Sequence, residues 1–288
     1  MSKKVLVIGA DGQLAFDLIR VFRKDYQVIE ARHSDFDITD YGAVEKFILK
    51  VKPDMVISTA AFHNTSECEL NPEKSFLVNG VGAYNVAKAS SAVKAAVVFM
   101  SSDYIFDGSK KGYKEDDLPN PLNVYGASKL AGENLTKLAN DRYYIIRSGW
   151  LFGVKRSGKG HNFVDLMIEK SKAIEKLQIV DDQFGSPTYT FDLASKIKEL
   201  IDKEAPFDIY HITNSGICSW YQFAKEIFKQ ANLKMRLEKI STDASKSLVK
   251  RPKYSVLTNK QLTKRGFKRL RNWRGTLKDY LKEKYAVL

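Results

Sequence analysis

Cysteine and histidine are scarce in this chain, with two and four copies in 288 residues. Cys68 and Cys218 show no metal-type spacing, which argues against a disulfide framework and a zinc site and makes a reducing cytoplasm the expected compartment. Four histidines are too few for a histidine-rich metal centre. Long apolar runs are missing too. The first, starting at Val5, is far too short for a signal peptide or a membrane span and fits a buried strand. The prolines gather in no linker, and there are no repeats or low-complexity tracts.

Acidic residues run short in one place only. Residues 231–288 hold 17 Lys and Arg against 4 Asp and Glu, so the net charge of +13 lies wholly in the last fifth of the chain. Most of this excess reads as a solvated face around an amphipathic C-terminal helix, with Trp273, Leu277, Tyr280 and Leu281 on its apolar side. An anion site for a phosphorylated small molecule is the functional alternative. No nucleic-acid-binding motif accompanies the charge, so neither nucleic acid nor a membrane is an expected partner.

Short apolar segments at 5–9, 26–31, 55–59, 95–101 and 143–148 read as buried strands, alternating with helical patterns at 13–24, 43–51, 72–93 and 123–140. This alternation predicts an α/β fold, a Rossmann-type doubly wound parallel sheet with both faces covered. After Gly149 the texture changes. A Gly- and Lys-rich loop at 153–161 leads to a helix at 163–174, a strand at 177–180, a helix from Thr190 and a strand at 207–212. Ser219 and Gln222 then form a capping-box start for another helix. The expected organisation is one domain over 1–150, also receiving a crossover around 177–203, and a smaller, interwoven C-terminal lobe over 151–288.

The first strand runs into Gly9-Ala10-Asp11-Gly12-Gln13-Leu14-Ala15, which opens the first helix. Gly9 and Gly12 permit a tight turn and close backbone approach to a pyrophosphate seated on the helix N-terminus, and Ala15 replaces the third glycine of the pattern. This placement predicts dinucleotide binding. Glu30, near the end of the second strand, suits a ribose hydroxyl as in NAD, whereas Arg32 suits the extra phosphate of NADP, so NADPH and NADH both remain open.

Tyr125 and Lys129 lie four residues apart at the start of a helix, where both share one face. A nearby ammonium favours phenolate and suits the phenol to exchanging protons with a carbonyl oxygen. Tyr84 with Lys88, Tyr221 with Lys225 and Tyr280 with Lys284 have the same spacing, so the pair means little alone. What separates Tyr125 is Ser102, 23 residues upstream, at the end of the fourth strand where ligands bind in open parallel sheets.

This ordered set resembles the extended short-chain dehydrogenase/reductase family over nearly the whole chain, and within it the dTDP-4-dehydrorhamnose reductases. The resemblance is carried by Gly12-Gln13-Leu14, Asp37-Ile38-Thr39-Asp40, the run from Ser102 to Gly108, residues 119–133 and Arg147-Ser148-Gly149-Trp150. Asn162-Phe163, the run from Asp182 to Thr188 and Arg251-Pro252 complete it. It implies that Tyr125 protonates a C4 keto oxygen while a nicotinamide delivers hydride to C4. Lys129 would lower the phenol pKa and hold the cofactor ribose, and Ser102, usually threonine in the family, would orient the carbonyl. Gly9, Asp11, Gly12, Gln13, Leu14, Asp37, Ile38, Ala60 and Ala61 would border the cofactor. A nucleotide-sugar substrate would meet Ser102, Asp103, Trp150, Asn162, Gln183 and Arg251, with His63 as a further contact or a plain loop histidine. Ser58-Thr59-Ala60-Ala61 and His63-Asn64 depart from the family pattern beside the sugar, which leaves the particular deoxysugar open. Some relatives bind a divalent metal at a dimer interface; a homodimer is possible here, but the sequence offers no convincing ligand set.

Three other functions stand beside this one. A dehydratase needs an acid pair after the serine, and here Tyr104 follows Asp103. A 4-epimerase uses the same Ser, Tyr and Lys, and the subfamily segments argue against it. A non-catalytic regulator resembling the beta subunit of methionine adenosyltransferase would bind dinucleotide without turnover. For the basic segment, no duplex-DNA affinity that falls steeply with salt is expected in a filter-binding titration; finding one would make residues 231–288 a nucleic-acid surface.

Overall fold

A computed structural model describes residues 2–155 and 160–286; the expected 153–161 loop therefore lies partly outside the described residues. Twelve strands are described: β1 (Lys4–Ile8), β2 (Gln27–Ala31), β3 (Met55–Ser58), β4 (Ala96–Ser102), β5 (Tyr143–Ser148), β6 (Leu151–Phe152), β7 (Lys176–Val180), β8 (Phe184–Gly185), β9 (Thr188–Tyr189), β10 (Asp208–His211), β11 (Cys218–Ser219) and β12 (Arg236–Ile240). The helices are α1 (Gln13–Phe22), α2 (Tyr41–Val51), α3 (Thr65–Leu70), α4 (Pro72–Phe76), α5 (Gly82–Ala92), α6 (Val124–Ala139), α7 (Phe163–Lys170), α8 (Thr190–Asp202), α9 (Trp220–Gln230), α10 (Lys260–Lys264) and α11 (Trp273–Tyr285).

Six strands form one parallel sheet in the order β10-β5-β4-β3-β1-β2. Alternation along the strands divides the core in two. Val5, Val7, Ile57, Val98 and Ile146 face α1 and α8, whereas Leu6, Ile8, Val56 and Val97 face α2 and α5. Both faces are covered, which is why these strands read as continuous apolar runs. The strand order reverses direction between β1 and β3, and in such a sheet the crevice outside the carboxyl ends at that point is the ligand site.

A third core lies beyond the sheet. Phe152, Met167, Tyr189, Phe223, Ile227, Trp273, Leu277, Tyr280 and Leu281 pack α7, α9 and α11 together. The apolar side expected of the C-terminal helix is therefore buried, leaving Lys278 and Lys282 on the outer face while Lys284 pairs with Asp165. β12 pairs with β7 in parallel, so this lobe has a small sheet of its own. The chain re-enters the main sheet through β10, beside β5.

The helix pattern at 72–93 is interrupted. α4 passes into a π-helical turn, Leu77–Val81, before α5 begins. Helical periodicity could not reveal that one-residue irregularity. Four Asn side chains set helix starts, among them Asn123 for α6, whose side chain accepts from the Gly126 amide at 2.8 Å.

α6 lies hard against the turn after β4. A methyl group on Gly126 would collide with the backbone carbonyl of Tyr104, and one on Gly132 with the carbonyl of Asn79. Neither backbone can yield cheaply. Gly126→Ala is expected to cost roughly 1–3 kcal/mol in a urea unfolding titration, and an unchanged midpoint would show that the contact relaxes freely.

Candidate active site

β4 ends at Ser101 and Ser102, both buried, and the chain turns at once through a 3-10 helix, Asp103–Ile105. Ser102 makes that turn by accepting from the Tyr104 amide at 3.2 Å through its Oγ. Pro121 and the Asn123 cap then start α6 so that Tyr125 falls in its first turn. The Ser102 hydroxyl donates to Asp103 Oδ1 at 3.1 Å and lies near enough to the Tyr125 phenol to favour its phenolate, and Tyr104 meets the Tyr125 ring edge-on at 6.1 Å. The two residues predicted to share a carbonyl oxygen are therefore brought together.

Burial raises the Tyr125 phenol above its ordinary value, with the nearby Ser102 hydroxyl pulling the other way. Lys129 is 2% exposed, with Nζ 4.1 Å from the centre of the Phe99 ring. Its burial pushes the ammonium down to about 7, against the pull of Glu133. The spacing of the pair predicts a lowered phenol pKa; in the protein alone, desolvation wins on both groups. A phenol kept protonated is suited to donating a proton, which is the direction a reduction needs.

The remaining Tyr-Lys pairs lie on α5, α9 and α11. Lys88 lies 4.6 Å over Tyr41 and 5.7 Å over Tyr84, Lys284 lies 5.6 Å over Tyr280 in the C-terminal core and holds Asp165 at 2.7 Å, and Tyr221 lies under Lys239 at 5.0 Å.

One strand away from β4's neighbour β3, β1 gives way to the glycine turn. Gly9 has φ +81°, and a Cβ there would stand 2.8 Å from the Ala60 amide nitrogen. Gly12 caps α1 with no side chain, leaving a backbone cradle at a helix start that fits a pyrophosphate. Two strand spacings separate this turn from Ser102, about 10 Å. Leu14 and Ile38 are core residues, and Ala60 and Ala61 line the turn after β3. Gln13 points elsewhere, its Nε2 donating to the carbonyls of Gly153 at 3.3 Å and Lys155 at 3.0 Å. Glu30 holds Arg23 and Arg32, and Arg32 also reaches Asp11 at 3.2 Å, so three residues expected to border the cofactor share one ion network at the surface. Asp37, exposed, accepts from both the amide and the hydroxyl of Thr39, which holds its carboxyl below the usual range.

On the substrate side, Trp150 adopts φ 53° and stacks flat on Trp220, 3.5 Å between centroids. Its Nε1 donates to Ser255 at 3.2 Å, and Gly185 leaves room for its ring. Arg251 lies near enough to Tyr104 to favour its phenolate electrostatically, which brings it towards Ser102 and Tyr125. Gln183 is buried and donates to Thr242 at 3.0 Å. Asn162 caps α7 and gives both amide hydrogens to protein, to Gly153 at 3.1 Å and Tyr280 at 3.3 Å, so every polar atom is engaged in holding the lobe. His63, half-buried, has Nδ1 3.4 Å from the Ala61 carbonyl in the turn after β3.

Several neighbours escaped sequence reasoning. Asn79, in the π-turn, holds Phe62 through both of its amide ends and donates to Ser128 at 2.9 Å, tying the turn after β3 to α6. Cys68 is buried close enough to Tyr125 and Lys129 to act on both electrostatically. Glu133, one turn beyond Lys129, forms a bidentate pair with Arg147 at 2.9 and 2.8 Å. The Glu at the fourth place after Lys129 was the available signal.

The family described as the RmlD substrate binding domain matches residues 3–286. The chain is 39% identical to the spore coat polysaccharide biosynthesis protein SpsK of Bacillus subtilis (strain 168), covering 99% of both chains. It is 33% identical to a dTDP-4-dehydrorhamnose reductase of Mycolicibacterium smegmatis, over 97% of this chain and 85% of that one. Among solved structures, a dTDP-4-dehydrorhamnose reductase of Bacillus anthracis in complex with NADP superposes with a TM-score of 0.94 at 36% identity, covering 98% of this chain and all of that one. With the serine, tyrosine and lysine set beside a glycine turn, and a match over nearly its full length, this chain belongs to the RmlD substrate binding domain family.

Proposed function

We propose that this protein reduces the C4 keto group of a nucleotide-linked 6-deoxysugar, dTDP-4-dehydro-L-rhamnose to dTDP-L-rhamnose or a close deoxysugar, with NADPH or NADH. The observation that carries the reading is the meeting of Ser102 and Tyr125 at the carboxyl end of β4, both buried, two strands from the Gly9–Gly12 cradle. Curated relatives named dTDP-4-dehydrorhamnose reductase, and one solved with NADP, support both substrate class and cofactor.

When bound, the dihydronicotinamide supplies hydride to C4 of the sugar. Everything else falls to this chain. Ser102 holds the carbonyl oxygen beside the phenol, and Tyr125, kept protonated by its burial, gives it a proton. The phenolate left behind is stabilised by the Ser102 hydroxyl turning to it and by the Lys129 ammonium. Gly9 and Gly12 receive the pyrophosphate, with Asp11, Glu30 and Arg32 at the ribose and Asp37 at the adenine. Trp150 covers the sugar, and Arg251 faces the nucleotide diphosphate with Gln183 and His63 at the rim. In this division, the sheet domain over 1–150 together with α8 holds the dinucleotide, and the lobe over 151–288 holds the nucleotide sugar. Two buried cysteines in 288 residues suit a cytoplasmic, reducing setting. His63 stands at the sugar edge and is the residue most suited to distinguishing one deoxysugar from another.

Two outcomes are expected. Tyr125→Phe should lose at least about 100-fold in kcat for cofactor oxidation with dTDP-4-keto-6-deoxy-L-mannose, yet bind cofactor as before by fluorescence titration. Turnover at the original rate would remove Tyr125 as the acid. Gly9→Ala should weaken cofactor binding at least tenfold, because the methyl presses on Ala60 and the backbone is left-handed there. Unimpaired binding would place the dinucleotide elsewhere.

A further inference from the structure

Asp103 brings to the site a buried carboxyl whose hydrogen-bonding capacity is only partly met. It follows Ser102 directly and is 3% exposed. Its Oδ1 is 3.1 Å from the Ser102 hydroxyl, while Oδ2 is buried with no hydrogen-bond partner. The carboxyl occupies the space that a Cβ on residue 149 would need, which is why glycine stands there. The Ser255 hydroxyl, which also holds Trp150, lies against the same carboxyl. An unpaired buried carboxylate oxygen is costly, whereas with the carboxyl protonated on Oδ1, facing Ser102, Oδ2 becomes an uncharged carbonyl oxygen.

From this arrangement we infer that Asp103 is a proton-holding residue that reloads Tyr125 through the Ser102 hydroxyl, a reading that rests on the proposed carbonyl reduction. The transfers balance. Tyr125 gives its phenolic proton to the substrate oxygen, Ser102 gives its hydroxyl proton to the phenolate, and Asp103 gives its carboxylic proton to the Ser102 oxygen. Asp103 is left as carboxylate and recovers one proton from solvent before the next turnover. One proton is consumed per hydride delivered. The Ser102–Asp103 hydrogen bond serves in either direction, Ser102 donating to the carboxylate or the carboxyl donating to Ser102.

Burial raises the Asp103 carboxyl to about 6, against the Ser102 and Ser255 hydroxyls and backbone amides, so it is loaded below that pH and empty above it. The titratable and charged groups around it are Tyr104 on the turn, Tyr125 on α6 and Arg251 beyond Tyr104. Desolvation is the dominant influence on Asp103 and on both phenols.

The test pairs Asp103→Asn with a pH series. In the wild type kcat should rise as pH falls through 6. Asp103→Asn should lose that rise, with kcat at pH 5.5 reduced roughly tenfold, below the ~10²–10⁴-fold of a direct acid, and KM within about twofold. A wild-type profile in Asp103→Asn, or an equal loss at every pH with the profile kept, would overturn the inference, the second by assigning Asp103 to packing. Carbon-13 NMR of the aspartate carboxyls gives a readout free of activity. A carboxyl titrating near pH 6 should vanish in Asp103→Asn and move upward in Ser255→Ala, while Asp17, raised to about 6 at its own buried site, stays in both. No such resonance in the wild type would sink the idea. If the wild type oxidises no cofactor with the keto-sugar, the reductase reading fails, whatever the NMR titration returns.

Discussion

The buried pair between Glu133 and Arg147 is the constraint on which the site depends. Both side chains are nearly inaccessible, at 0% and 3% exposure, and they join α6 to β5. Their remaining valences are used up. Ser101 on β4 donates to Glu133, and Arg147 donates to the Glu115 carbonyl at 3.1 Å and meets His211 Nε2 at 3.3 Å. His211 Nδ1 lies 3.2 Å from the Tyr113 carbonyl, and burial beside Arg147 holds this imidazole well below its usual pKa, so it stays neutral and accepts from the guanidinium. Removing one partner would strand a charge in the interior, typically at 3–5 kcal/mol. Because Glu133 is one turn beyond Lys129 and two beyond Tyr125, the pair sets the rotation of α6, and hence where phenol and ammonium point.

That rotation is reinforced by close backbone contact. Glycine at 126 and 132 lets α6 approach the turn after β4 and the π-turn, and Asn79 then locks the segment after β3 to the same helix. The π-turn displaces the helix register just where Asn79 must turn inward. Rigidity at this face contrasts with the surface network of Glu30, Arg32 and Asp11, where exposed ion pairs contribute about 1 kcal/mol or less each and can rearrange around a ligand.

The lobe is joined to the sheet by polar contacts as much as by packing. Gln13 on α1 binds the carbonyls of Gly153 and Lys155, and Thr190 at the start of α8 donates to the buried Asp17 at 2.5 Å. Burial raises the Asp17 carboxyl to about 6, so neutral pH charges it at some cost to the folded state. Residues that looked like ligand contacts in the sequence, Gln13 and Asn162, turn out to spend their amides on this junction. Residue type and spacing could not distinguish the two uses, because an amide pointed at a phosphate and an amide pointed at a carbonyl demand the same side chain.

What the sequence by itself determined was local or periodic. Continuous apolar strands, the glycine turn at residue 9, the capping residues Asn123 and Ser219, and the order of Ser102 before Tyr125 and Lys129 all express short-range rules. They were enough to predict a covered parallel sheet and the carboxyl end at which the site lies. Only the tertiary structure decided the electrostatics. Burial pushes Tyr125 up and Lys129 down, pairs Glu133 with Arg147 across β5, and leaves one oxygen of Asp103 without a partner. Those outcomes depend on how much water each group loses, and desolvation is set by neighbours distant in the chain rather than by spacing along it.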